Sequence, residues 1–163
     1  MKHSLWKSWE QNTISIGLSL KTDGHISRSP LQGRTMIGNS IYALLMANPV
    51  VDTYVSDRIY PVQAPQRDMG NLIIYGIAGT KPEETKQGPS KEDWVMVDIV
   101  VYSKDYDEMH TIAKAVREAL DYQNGTIAGN EISNIVFEDY SDSWQTDREC
   151  YEGLLQFTVI SKP

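Results

Sequence analysis

One cysteine, three histidines and two phenylalanines are all that this 163-residue chain holds of those residue types. The lone Cys150 excludes an internal disulfide and fits folding in a reducing cytoplasm. His3, His25 and His110 are scattered, with no second His or Cys at ligand spacing, so no metal site is expected. No apolar run approaches the roughly 20 residues that a membrane span needs. Residues 1–7 continue into polar sequence and lack the apolar stretch of a secretory signal. Phosphate-cradling and nucleophile-elbow glycine motifs are missing as well. No basic stripe with interleaved aromatics supports binding of single-stranded nucleic acid. The sequence therefore calls for no cofactor.

What is present is unevenly distributed. The net charge is −7, yet residues 1–35 hold five basic residues (Lys2, Lys7, Lys21, Arg28, Arg34) against Glu10 and Asp23. The remainder holds ten basic and twenty acidic residues, so a cationic arm precedes an anionic body. An acidic body does not adhere to nucleic acid, because phosphate neutralisation drives that binding. The arm can instead lie on the body of another copy. Within it, residues 13–20 alternate apolar and polar with Ile14, Ile16, Leu18 and Leu20 on one face, as a half-buried strand does. Such a strand needs a sheet edge, its own or a neighbour's.

From Met36 onward the pattern reads as one domain, small enough for a single core. Ile37, Ile41, Leu44 and Leu45 recur at helical spacing over 37–47, and Asn48-Pro49 reads as a cap and first position of a second short helical segment. Residues 58–61 form a short extended piece closed by Pro61. Strands are expected at 72–77, 94–102, 132–137 and 154–160. A helix is expected from Asp105 to Tyr122, started by Asp105 with Glu108 three residues on. Its apolar face comprises Tyr106, Met109, Ile112, Ala113, Val116 and Leu120. The Asn124-Gly125 pair ends it with a turn.

Residues 79–93, rich in Lys, Glu, Gly and Pro without an apolar anchor, read as a long mobile loop. These elements predict an α+β domain: a mainly antiparallel sheet of four to five strands with two helices on one face, plus an N-terminal extended arm. Strands such as 72–77 and 154–160 could lie at free sheet edges.

Two features could carry chemistry. Cys150 could act as a nucleophile only beside a base, and the sequence shows none; a small core filler is the simpler role. The carboxylates Glu138, Asp139, Asp142, Asp147, Glu149 and Glu152 could do acid–base work or hold a hard cation. Their spacing fits no calcium loop, and a solvated hairpin turn accounts for them. His110 is expected on a solvated helix surface. Nine tyrosines and four tryptophans point elsewhere, to protein–protein contact. Trp6, Trp9 and Trp144 fall in the arm or in loop sequence. With Ile14, Ile16 and Leu18 of the arm and Lys81, Glu83, Glu84 and Lys86 of the polar segment, they are the candidate assembly residues.

Residues 41–160 resemble the tail-completion, or tail-terminator, family of long-tailed phages. The pattern runs through I-Y-A-L-L-M-A-N-P-V-V from Ile41 and D-R-I-Y-P-V-Q-A-P-Q from Asp57. It continues through Leu72-Ile73-Ile74-Tyr75, V-D-I-V-V-Y from Val97, A-V-R-E-A-L-D from Ala115 and L-Q-F-T-V from Leu155. The R-I-Y-P and A-P-Q pieces are the most specific parts, and residues 1–35 lie outside the pattern.

The resemblance implies a structural virion protein with no catalytic residues, assembled in the cytoplasm of an infected bacterium. It implies a homo-oligomeric ring, commonly a hexamer, that caps the tail tube and joins it to the head connector. Partners would be further copies, the tail tube protein and a connector or stopper protein. Genomic DNA would pass through the lumen without specific binding, and no membrane is involved. Another neck role, adaptor or stopper, differs only in the neighbour bound; a small enzyme using Cys150 or the acidic cluster is the third reading.

Overall fold

Local signals set the helices. Asn48 caps the second of them: its Oδ1 accepts from the N–H groups of Val50 at 2.9 Å and Val51 at 3.2 Å, with Pro49 at the first helical position. Asp105 caps the third in the same way, accepting from the Glu108 N–H at 2.9 Å. The Glu108 carboxylate does not complete the reciprocal half of a capping box; it accepts from Asn71 Nδ2 at 3.0 Å. The computed structural model describes residues 18–20, 26–28, 32–66, 68, 70–85 and 88–162.

The order of elements is β1 (Leu18–Leu20), β2 (Ile26–Arg28), α1 (Gln32–Ala47), α2 (Pro49–Val55), β3 (Ile59–Pro61), β4 (Leu72–Thr85), β5 (Gly88–Ser103), α3 (Tyr106–Leu120), β6 (Gly125–Ile127), β7 (Asn130–Gln145) and β8 (Cys150–Ser161). Backbone contacts divide the chain into two units, Met1–Thr35 and Met36–Pro163. In the first, β1 and β2 pair antiparallel. So the described part of the arm strand, Leu18–Leu20, has a partner three residues long within the same segment, which the alternating pattern alone does not reveal.

The second unit carries a six-stranded sheet in the order β3-β4-β5-β8-β7-β6, antiparallel except where β3 runs parallel to β4. The α+β class and the dominant antiparallel pairing agree with the sequence reading; the sheet is larger and mixed, and the helices described number three. Short pieces account for the difference. β3 and β6 are three residues each, below the length at which alternation is legible. β6 folds back on β7 through Ala128-Gly129, both at positive φ (48° and 84°), the geometry of a tight two-residue hairpin turn. α1 begins at Gln32, earlier than the apolar stripe indicates.

Val95, Val97, Ile99 and Val101 alternate along β5 and are buried on one face, as are Leu155, Phe157 and Val159 of β8. Ile37, Ile41 and Leu45 of α1, Val51 and Val55 of α2, and Met109, Ile112, Val116 and Leu120 of α3 complete the same core. Tyr106, expected on that face, instead lies exposed at its rim. Ser40 Oγ donates to the Ile127 carbonyl at 2.7 Å and accepts from Asn130 Nδ2 at 2.9 Å, tying α1 to the β6–β7 hairpin through satisfied buried polar groups.

Gly153, buried in β8, faces Met109. A Cβ there would come within 2.6 Å of Met109 Sδ and 3.3 Å of Tyr140 Cε2. Gly153→Ala is expected to cost about 1–3 kcal/mol by overpacking, read as a lower urea midpoint at unchanged m.

The edge expectation fails for 154–160, which belong to β8 in the middle of the sheet, and holds only in part for 72–77: these belong to β4, where β3 covers Ile73–Tyr75 and no described strand covers Gly76 and Ile77. Edge position depends on non-local pairing, which apolar content does not encode. Residues 79–85 and 88–93 are strand rather than loop. β4 and β5 stay paired through Pro82↔Asp93 to Thr85↔Gly88, whereas β5 last meets β8 at Asp93↔Ser161. The outer five residues of β5 thus form a two-stranded ribbon reaching about 16 Å past β8 at roughly 3.3 Å per residue. A ribbon satisfies its backbone by pairing and needs no apolar anchor, which is why its composition reads as a loop.

Candidate assembly surfaces

The ribbon is the first surface. Lys81, Pro82 and Lys91 are exposed on it, and Glu83 is half-buried. Glu84 lies on β4 near the tip, and Lys86 lies outside the described residues. Ser133 Oγ donates to Glu92 Oε1, holding the ribbon's base against β7. Beside β4, Val62 follows β3 with φ 64°, a strained conformation for a β-branched residue, and is 74% exposed.

The second surface lies where α3 meets the β7–β8 hairpin. Trp144 is in strand β7, not in a loop; it pairs with Tyr151, and their rings meet edge-on at 4.8 Å. Tyr106 packs edge-on against Tyr151 at 5.2 Å and against His110 at 4.4 Å. Tyr106 Oη donates to Asp142 Oδ2 at 2.8 Å, and His110 Nε2 lies 3.3 Å from the same oxygen. His110 Nδ1 is 3.3 Å from Tyr140 Oη. His110 is therefore half-buried in an aromatic cluster rather than solvated, because β7 folds over α3 from about thirty residues away. No local pattern reveals it.

The carboxylates also separate. Glu138, Asp139 and Asp142 lie on β7, Asp147 and Glu149 in the turn, and Glu152 on β8. Among the described residues no group of His, Cys, Asp and Glu side chains is placed to hold a metal ion. No helix among them is long and apolar enough to cross a membrane. Trp6, Trp9, Ile14 and Ile16 lie outside the described residues; Leu18 opens β1.

Cys150 is 7% exposed, and burial pushes its thiol up, away from the reactive thiolate. Cys150→Ala is expected to cost roughly 1 kcal/mol and leave assembly intact; loss of particles by a variant with normal folding would give the thiol a chemical role.

Burial and the Glu152 hydrogen bond push Tyr102 up to about 12, and burial beside Asp142 does the same for Tyr140. The folded chain holds these protons more tightly than the unfolded one. Their stabilisation is complete below pH 10 and is lost as pH rises towards 12. Alkaline unfolding in that window should flatten in Tyr102→Phe and Tyr140→Phe.

A projecting ribbon, exposed aromatics and a filled core are the makings of an assembly subunit. The model of the tail completion protein gp17 family matches residues 39–162, and the chain belongs to that family. It is a structural component of the virion, in the tail region, and not an enzyme. A comparison with curated protein sequences finds no match. Among solved structures, the fold is shared with a chain of "Virion of native gene transfer agent (GTA) particle", at a TM-score of 0.67 and 16% identity. The superposition covers 82% of this chain and 98% of that one. At that identity the likeness is one of fold.

Proposed function

We propose that six copies of this chain close a ring on the head-proximal end of the tail tube, stop its growth and join it to the head connector. Membership of the tail completion family supports the tail; the β4–β5 ribbon carries the ring. It has no core to serve, and a cyclic ring needs each copy to present unlike, complementary patches to its two neighbours. In this reading Lys81, Glu83, Glu84 and Lys86 meet one neighbour and Trp144 the other. Residues 36–163 are the ring-forming domain, and residues 1–35 are an arm that lies on an adjacent copy through Trp6, Trp9, Ile14, Ile16 and Leu18. The acidic body repels the DNA that passes through the lumen.

Tube length tests the reading. In infections lacking this chain, tubes should overgrow and remain unjoined, and added purified protein should restore both length and joining. Tubes of normal length beside heads that leak DNA would indicate a stopper or adaptor instead.

A further inference from the structure

The ring reading, on which this inference rests, does not say where a neighbour receives the arm. β7 offers a place. β6 covers it only from Asn130 to Ile132. The turn after α3 covers the next positions: Tyr122 N–H donates to the Ile135 carbonyl at 2.8 Å, and Asp121 Oδ1 accepts from the Phe137 N–H at 3.1 Å. Past Phe137 no described strand lies outside β7, although β8 pairs with its inner side as far as Gln145. The irregularity between Phe137 and Asp139 shifts the alternation by one residue. Backbone groups of Tyr140, Asp142 and Trp144 therefore face outward, where those of Ile135 and Phe137 did before the shift. The Tyr140 N–H is met by Asp139 Oδ1 at 2.8 Å.

Beside this edge, between β7 and α3, runs a groove of about 220 Å³ lined by Ala113, Phe137, Tyr140 and Leu155 together with His110, Lys114 and Arg117, whose guanidinium lies over the Phe137 ring. An added strand with one apolar face could lay that face in the groove while its backbone completes the edge. The charges choose among candidates. Glu138, Asp139 and Asp142 make the edge acidic, which opposes pairing with the same edge of another copy and favours a cationic strand. Residues 13–20 are themselves uncharged, but Ile14, Ile16, Leu18 and Leu20 alternate in sequence with small and polar residues, and the segment lies between Lys7 and Lys21 in a stretch of net positive charge. We propose that the outer edge of β7, residues 139–145, receives residues 13–20 of a second copy as an added strand.

The test uses the full chain in a Cys150→Ala background. One preparation carries Ser19→Cys and another Ser141→Cys or Ser143→Cys, all on the polar faces. Mixed, assembled into rings and oxidised, the two should give at least tenfold more covalent dimer than unassembled copies do. Rings without such dimers would overturn the proposal and leave the ring standing. A Ser19→Cys, Ser143→Cys double variant that bridges within one chain would overturn it too, since the occupant would be the chain's own arm. A mixture whose particle mass stays that of single copies would overturn the ring reading and this proposal together. In the unsubstituted protein, amides of Asp142 and Trp144 should exchange at least tenfold more slowly in rings than in free copies; equal rates would contradict the proposal independently.

Discussion

Replacing Ile112 by Ala is expected to lower the stability of the domain by about 2–5 kcal/mol, the largest effect of any single substitution considered. Ile112 has no exposed surface, and neither do Met109, Val116 and Leu120 on the same face of α3. That face rests on the buried side chains of β5, β8 and β7, so removing three side-chain carbons leaves a cavity bounded by both layers. The helix cannot move to close it without disturbing its other contacts. Asn48 Nδ2 donates to the Ala115 carbonyl at 3.3 Å, and the Asp105 cap fixes the first turn. At about 2–4 °C per kcal/mol for a domain of this size, the melting temperature should fall by roughly 5–15 °C. Lys114→Ala on the exposed face should stay within about 0.5 kcal/mol. Thermal and urea denaturation of the three proteins decides it; an Ile112→Ala change below about 1 kcal/mol would mean that α3 is not a principal wall of the core.

Shortening the ribbon should have the opposite profile, leaving the fold and abolishing assembly. Replacing residues 82–93 by Asn-Gly would join β4 to β5 next to the Lys81↔Trp94 pair through a turn suited to a two-residue hairpin. Among the described residues the buried side chains of β5 begin at Val95, and none of the deleted stretch belongs to the core. The variant should melt within a few degrees of the parent. It should be missing from purified particles, and heads and tails should stay separate. Normal incorporation would remove the ribbon from the set of contacts, and a variant that does not fold would make the ribbon structural.

Most of the core is legible in the sequence because it rests on local, periodic signals. The Asn48 and Asp105 caps, the α3 stripe and the buried stretches of β4, β5, β7 and β8 all follow from spacing alone. The ribbon is not, because Pro82, Pro89 and the six charged residues from Lys81 to Glu92 look the same in a loop and in a two-stranded arm. Edge and centre cannot be told apart from apolar content, because β8, last in the chain, inserts between β5 and β7. Of the candidate assembly residues, Trp144 is an exposed aromatic as expected, at 50%, though its place in β7 is not visible in the sequence. Its neighbours Tyr106, His110, Tyr140 and Asp142 carry no signal as a group, since the cluster exists only once the β7–β8 hairpin folds over α3.

The most direct test of the central claim is an image reconstruction of the neck of an intact particle. Six copies of this chain should form one ring between the last ring of the tail tube and the head connector, with each ribbon touching the adjacent copy. Finding the chain elsewhere in the virion, or in a twelvefold collar on the portal, would contradict it.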